Sequence, residues 1–202
     1  MRNRILLSIL LFIVSYILFL FLWLHFKNLY GVFVTNLGAR SAALVTGSVV
    51  ERAFFQDEKA TVDFIYQALT ARGPANLHFG AVLFVSKYSY NLPLTLAIIV
   101  ALFPLVKWRF RALLESLFLV LIIHFIYVFT YCNLQTYYAL VKSGVKGLWK
   151  PEQFFWEFSW AFVNAMVIRF EPFLIGIFLW FRSRANKKGR QEEKQKGPLK
   201  GP

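Results

Sequence analysis

The apolar positions along this chain gather into four long runs separated by polar and basic segments. The first, Ile5 to Phe26, has 22 residues without a charge, interrupted only by Ser8, Ser15 and His25. That is longer than the roughly 7 to 15 residue apolar core of a signal peptide, and Lys27, Asn28, Leu29 and Tyr30 follow it in place of a small-x-small cleavage site. The pattern predicts an uncleaved membrane helix, since about 20 apolar residues suffice to cross a bilayer. The second run enters through Tyr88, Ser89, Tyr90, Asn91 and Pro93 and ends at Val106; the third spans Ala112 to Tyr131. The fourth, Phe158 to Phe181, is nearly all apolar but carries Arg169, Glu171 and Pro172 at its middle.

Between the first two runs the period changes to two. Val62, Phe64, Tyr66 and Ala68 alternate with Thr61, Asp63 and Gln67, the signature of a half-buried strand. Val49 to Phe55 before it and Leu77 to Ser86 after it are strand candidates, joined through Gln56–Lys59 and through the turn signal Arg72, Gly73, Pro74. Residues 28–46, rich in Gly and Ala, fit either a helix on the membrane surface or packed interior. The expected fold class is an α-helical integral membrane protein with four transmembrane helices, both termini cytoplasmic, and a small extracytoplasmic three-stranded β element between helices 1 and 2. In order, the divisions are 1–26 for the N-terminus and first span, 27–89 for the periplasmic β-bearing segment and 90–106 for the second span. A cytoplasmic turn at 107–111, a third span at 112–132 and a periplasmic loop at 133–157 follow. The fourth span at 158–181 and a disordered basic cytoplasmic tail at 182–202 complete the chain.

Composition agrees with the membrane class, because 58% of residues are hydrophobic against about 45 to 50% in ordinary globular chains. The net charge of +13 would fit nucleic acid, but its distribution argues otherwise. Thirteen of the 23 lysines and arginines sit at Arg2 and Arg4, at Lys107, Arg109 and Arg111, and in the tail after Phe181. Flanking apolar runs in this way is what the positive-inside rule describes, so the partners expected are the lipid bilayer and anionic headgroups near the tail, not nucleic acid. Cys132 is the sole cysteine, which excludes an intramolecular disulfide. No phosphate loop or metal-type Cys/His spacing is present, and no cofactor is expected.

Charges at membrane depth cost roughly 2.5 to 3.5 kcal/mol on insertion scales, so Arg169 and Glu171 should face protein or a water-filled cavity. Counting about 1.5 Å per residue from the cytoplasmic ends puts Thr95, His124, Arg169 and Glu171 at one level. Arg169 and Glu171 are two residues apart, some 200° around a regular helix, so each needs its own partner on another helix. Pro172 leaves the carbonyl of Ile168 without its helical donor. These four are the candidate buried polar or interaction residues, acting as a binding site or as interhelical glue. A second group at the outer interface comprises Tyr90, Asn91, Cys132, Asn133 and Asn164. Cys132 is a candidate nucleophile, but His124 lies eight residues earlier on the same helix, about 12 Å along the axis, and cannot serve as its base. The alternatives to a binding protein are therefore a membrane cysteine protease or transpeptidase using Cys132, or a small transporter subunit using Arg169 and Glu171.

The run KYSYNLPLTLAIIVA (Lys87 to Ala101), the helix LIIHFIYVFTYCNLQTYY (Leu121 to Tyr138) and the ending PFLIGIFLWF (Pro172 to Phe181) resemble the small membrane proteins associated with exosortase H. The resemblance implies an accessory protein of a Gram-negative inner membrane, without catalytic residues of its own, that partners an exosortase or its substrate in protein sorting. Exosortases need Cys, Arg and His in chain order near the outer face, and here no histidine follows Arg169. The expectation is accordingly a non-catalytic partner.

Overall fold

The computed structural model describes residues 2–56, 58–70, 73–106 and 110–195, leaving aside the side chains of Arg2, Thr70 and residues 185–195. It is mostly helical, and among the described residues four helical stretches are long and apolar enough to cross a membrane: Asn3–Thr46, Val85–Val106, Phe110–Lys142 and Lys150–Arg184. This is the architecture of a multi-pass membrane protein. Asp57, Arg72, residues 107–109 of the basic turn and the tail from residue 196 lie outside the described residues.

The chain begins with α1 (Arg2–Thr46), a single helix. The polar group at Lys27–Asn28 does not end it. Residues 28–46 continue the helix and bury Val34, Thr35, Ala39, Ala42 and Ala43, so of the two readings of this segment the packed one holds. The helix stops at Gly47, whose φ of +70° is open to glycine without penalty. Ser48 N–H then donates to Ala43 C=O at 3.0 Å, the closing bond of a Schellman cap.

Three strands follow: β1 (Val49–Gln56), β2 (Lys59–Thr70) and β3 (Gly73–Phe84), antiparallel in the order β1-β2-β3. The third strand starts four residues earlier than the alternation proposed and ends before Val85, because Val85 and Ser86 already belong to α2 (Val85–Ser89). After the turn at Tyr90–Asn91 come α3 (Leu92–Val106), α4 (Phe110–Lys142) and α5 (Lys150–Phe162). A π turn at Val163–Val167 leads into α6 (Ile168–Gln195). Both α4 and α6 exceed the spans drawn from hydropathy. The tail expected to be disordered is helical to Gln195, since Arg, Lys, Gln, Glu and Ala are good helix formers and extend a helix already nucleated.

The chain divides into two compact units. One holds residues 22–91 and 121–170. Its core joins Ala39 and Ala42 of α1, Val62 and Phe64 of β2, Ala81 and Leu83 of β3, and Tyr127, Val128 and Cys132 of α4. Phe64 and Phe79 face each other across the strands, stacked at 5.4 Å. Close approach to α1 depends on two glycines. A Cβ at Gly31 would stand 2.5 Å from the Val85 side chain, and one at Gly38 would stand 2.6 Å from that of Val128. Lys27 of α1 forms an ion pair with Glu58 in the turn before β2.

The other unit holds residues up to 21, 92–120 and from 171 onward. Ile99, Ala112, Val120, Ile175 and Leu179 form its core. Among its polar ties, Arg182 donates to both oxygens of Glu115 at 2.9 Å and Ser183 Oγ donates to Val106 C=O at 3.0 Å. Glu115 thus has a cation from another helix besides Arg111, four residues before it.

Candidate functional site

The candidate site grows from a defect in the last helix. Pro172 has no N–H, so the carbonyl of Ile168 loses its intrahelical partner. Asn91, just before α3, donates its Nδ2–H to that carbonyl at 2.5 Å and is itself buried. Immediately upstream the backbone widens, Ile168 N–H bonding Val163 C=O in the i→i+5 pattern of a π turn. Residues five apart on an α-helix stand about 140° apart, whereas the wider turn brings them close to one face. Asn164 and Arg169 are five apart, and both line the same cavity.

That cavity measures about 330 Å³, and Ser86, Lys87 and Tyr90 form its opposite wall. Ser86 and Lys87 lie in the first turn of α2, where the chain passes from strand to helix at Val85. The Lys87 ammonium lies 5.0 Å from the centre of the Phe84 ring. Arg169 and Lys87 are both exposed, and Arg169 has no hydrogen bond or ion pair among the described residues. The Ser86 side chain is hydrogen-bonded to the Glu58 carboxylate, which leaves an arginine fork, an ammonium, the Tyr90 hydroxyl and an amide around the cavity, a site for a carboxylate or a phosphate, the groups that a guanidinium binds through paired hydrogen bonds.

The sequence-derived candidates separate. Glu171 belongs to the other unit, where it is fully buried and accepts a hydrogen bond from Thr95 Oγ1 at 2.8 Å. A partner on a different helix, the Thr95 hydroxyl, is thus present, as the charge at membrane depth requires. Arg169 lines its cavity with residues that precede α3, not with Thr95. The depth count placed it level with Thr95 from its Cα alone, but a helical side chain leans toward the helix N-terminus, here toward Asn164.

His124 is fully buried, with Nδ1 and Tyr30 Oη 2.5 Å apart and its ring edge-on to both Tyr30 and Tyr88. Tyr88 in turn shares a hydrogen bond of 3.2 Å with Thr35. These contacts join α1, α2 and α4, so His124 is a cross-link in the core. Cys132 is also fully buried, in the same core, and its thiol is closed to substrate. Asn133 donates to Phe129 C=O at 2.8 Å, one turn earlier on its own helix, and lines a separate cavity of about 100 Å³ with Thr46, Tyr137 and Trp156. Of the outer-interface group, Tyr90 and Asn164 reach the Arg169 cavity and Asn91 shapes its wall. Ser86 and Lys87 were not among the candidates. Ser86 ended the strand candidate Leu77 to Ser86 and Lys87 opened the run that follows it, and nothing in their local pattern marks the switch to helix at Val85. Comparison with family models, with curated proteins and with solved structures gives no match.

Proposed function

We propose that this chain is a non-catalytic accessory protein of a bacterial inner membrane, with both termini in the cytoplasm, that works by holding an anionic group of a partner at the Arg169 cavity. The observation that carries this reading is an exposed Arg169 beside Lys87, with no acidic partner among the described residues, in a wall shaped by a π turn and a proline. A bare arginine on a membrane span is costly and is expected to face water or a partner. In this orientation the cavity and the sheet lie at the outer face, and the resemblance to exosortase-associated proteins makes a sorting enzyme or its substrate the partner to expect.

Affinity purification of the full chain from its native host in mild detergent tests the reading. A membrane protein should co-elute in near-stoichiometric amount, and Arg169→Gln should reduce its recovery while leaving the yield of the bait unchanged. Elution of the protein alone would remove the accessory role. Co-elution of a membrane protein other than an exosortase or its substrate would replace the partner and keep the mode of action.

A further inference from the structure

We propose that the free edge of β3 and the Lys87–Arg169 cavity form one docking groove for an extended peptide segment bearing an acidic residue, added antiparallel to β3 as a fourth strand. This rests on the binding reading above and names the class of ligand.

Among the described residues, strand order leaves β3 paired on one side only. Two hydrogen bonds fix which backbone groups face the open side. Val85 N–H points inward to Glu58 C=O at 2.9 Å, and Val82 C=O points outward, accepting from Tyr131 Oη at 2.9 Å. With the strand period of two, Gly80, His78 and Asn76 turn their N–H and C=O groups to the same open side as Val82. Such a row of backbone groups, with the Val82 carbonyl taken by Tyr131 and the groups of Gly80, His78 and Asn76 beyond it, is a template for another strand, and it cannot face hydrocarbon, where nothing would satisfy it.

The groove continues from this edge. A cavity of about 100 Å³ lies between the end of β3 and Tyr127, Tyr131 and Trp160, and Lys87 lines both it and the Arg169 cavity. An aromatic pocket beside a sheet edge takes one apolar side chain of an added strand, while main-chain bonds supply affinity along the rest. The cations lie beyond the C-terminal end of β3. Antiparallel addition, the pattern of the existing sheet and slightly the more stable per residue, brings the N-terminal part of the peptide there. A free N-terminal ammonium would be repelled by Lys87 and Arg169. An Asp or Glu side chain on a continuing chain would instead pair with them.

The test uses the full chain in nanodiscs of zwitterionic lipid and acetylated, C-terminally amidated peptides of roughly eight residues, the usual strand length. The peptides alternate threonine with valine and leucine, and binding is read by fluorescence anisotropy. A glutamate near the N-terminal end should bind at least about 10-fold tighter than glutamine there, the effect of one charge-assisted contact, and tighter than glutamate at the C-terminal end. Arg169→Gln should erase that preference. N-methylation of alternate peptide amides should abolish binding in one phase and be tolerated in the other, because only one set faces β3. Equal binding of both phases, indifference to the glutamate position, or absence of binding overturns the proposal. Arg169-dependent retention of phosphatidylglycerol without peptide binding would assign the cavity to a lipid phosphate instead. If peptides fail while Arg169→Gln still loses the co-purifying partner, the ligand class is wrong and the accessory role stands; if the partner is also retained, both fall.

Discussion

Asn91 closes a gap that the sequence itself opens, by donating to the carbonyl freed by Pro172. Asn91→Leu leaves that buried carbonyl without a donor, and the expected destabilisation is about 1 to 3 kcal/mol in reversible unfolding in detergent. The pair of Pro172 and Ile168 was readable in advance, but its answer, 77 residues earlier in the chain, was not. A second expectation concerns Glu58. The hydrogen bond from Lys27 holds its carboxyl below the ordinary value of 4.5, and burial opposes this only in part. The folded form therefore favours the ionised carboxylate, so this contribution is whole above pH 4.5 and is lost as pH falls through the depressed value. Stability measured across pH 6 to about 3 should fall less steeply in Glu58→Gln than in the parent chain.

At the scale of elements, α1 illustrates how packing overrides local appearance. The second half of this helix mixes small and apolar residues without a clean stripe, and only its neighbours explain why. Gly38 lets α1 and α4 approach to a distance that admits no side chain. Gly38→Leu should cost about 1 to 3 kcal/mol by overpacking, read as a lowered midpoint of thermal unfolding in detergent. A paired change, Gly38→Leu with Val128→Ala, should recover part of it, since Val128 supplies the nearest atoms. The sheet is the opposite case. Its alternation was legible and its register follows it, with Val62 and Phe64 inward opposite Ala81 and Phe79. Its end was not legible, because Val85 continues the apolar alternation while its backbone starts a helix.

For the whole molecule, four helical stretches are long and apolar enough to cross a membrane, and the proposed function places both termini in the cytoplasm. Single cysteines introduced at Arg4 and at Gln195, in a Cys132→Ala background, should be shielded from a membrane-impermeant maleimide in intact spheroplasts and labelled after lysis. A cysteine at Gln67 on the exposed side of β2 should be labelled without lysis. The reverse pattern would invert the orientation and put the Arg169 cavity on the cytoplasmic side.

Hydrophobic periodicity alone determined that this chain belongs in a membrane, that it has four apolar helices and a small antiparallel sheet, and that Pro172 leaves a carbonyl to be satisfied. Those features depend on the sequence within a few turns of each residue. Tertiary structure decided the rest. Thr95 meets Glu171 across 76 positions and Tyr30 meets His124 across 94, pairings that depend on which helices become neighbours. The Arg169 cavity needed three things together: a π turn that aligns Asn164 with Arg169, a strand that becomes a helix at Val85, and an asparagine that holds the wall. Each is a response of the backbone to distant packing, which no short-range pattern encodes.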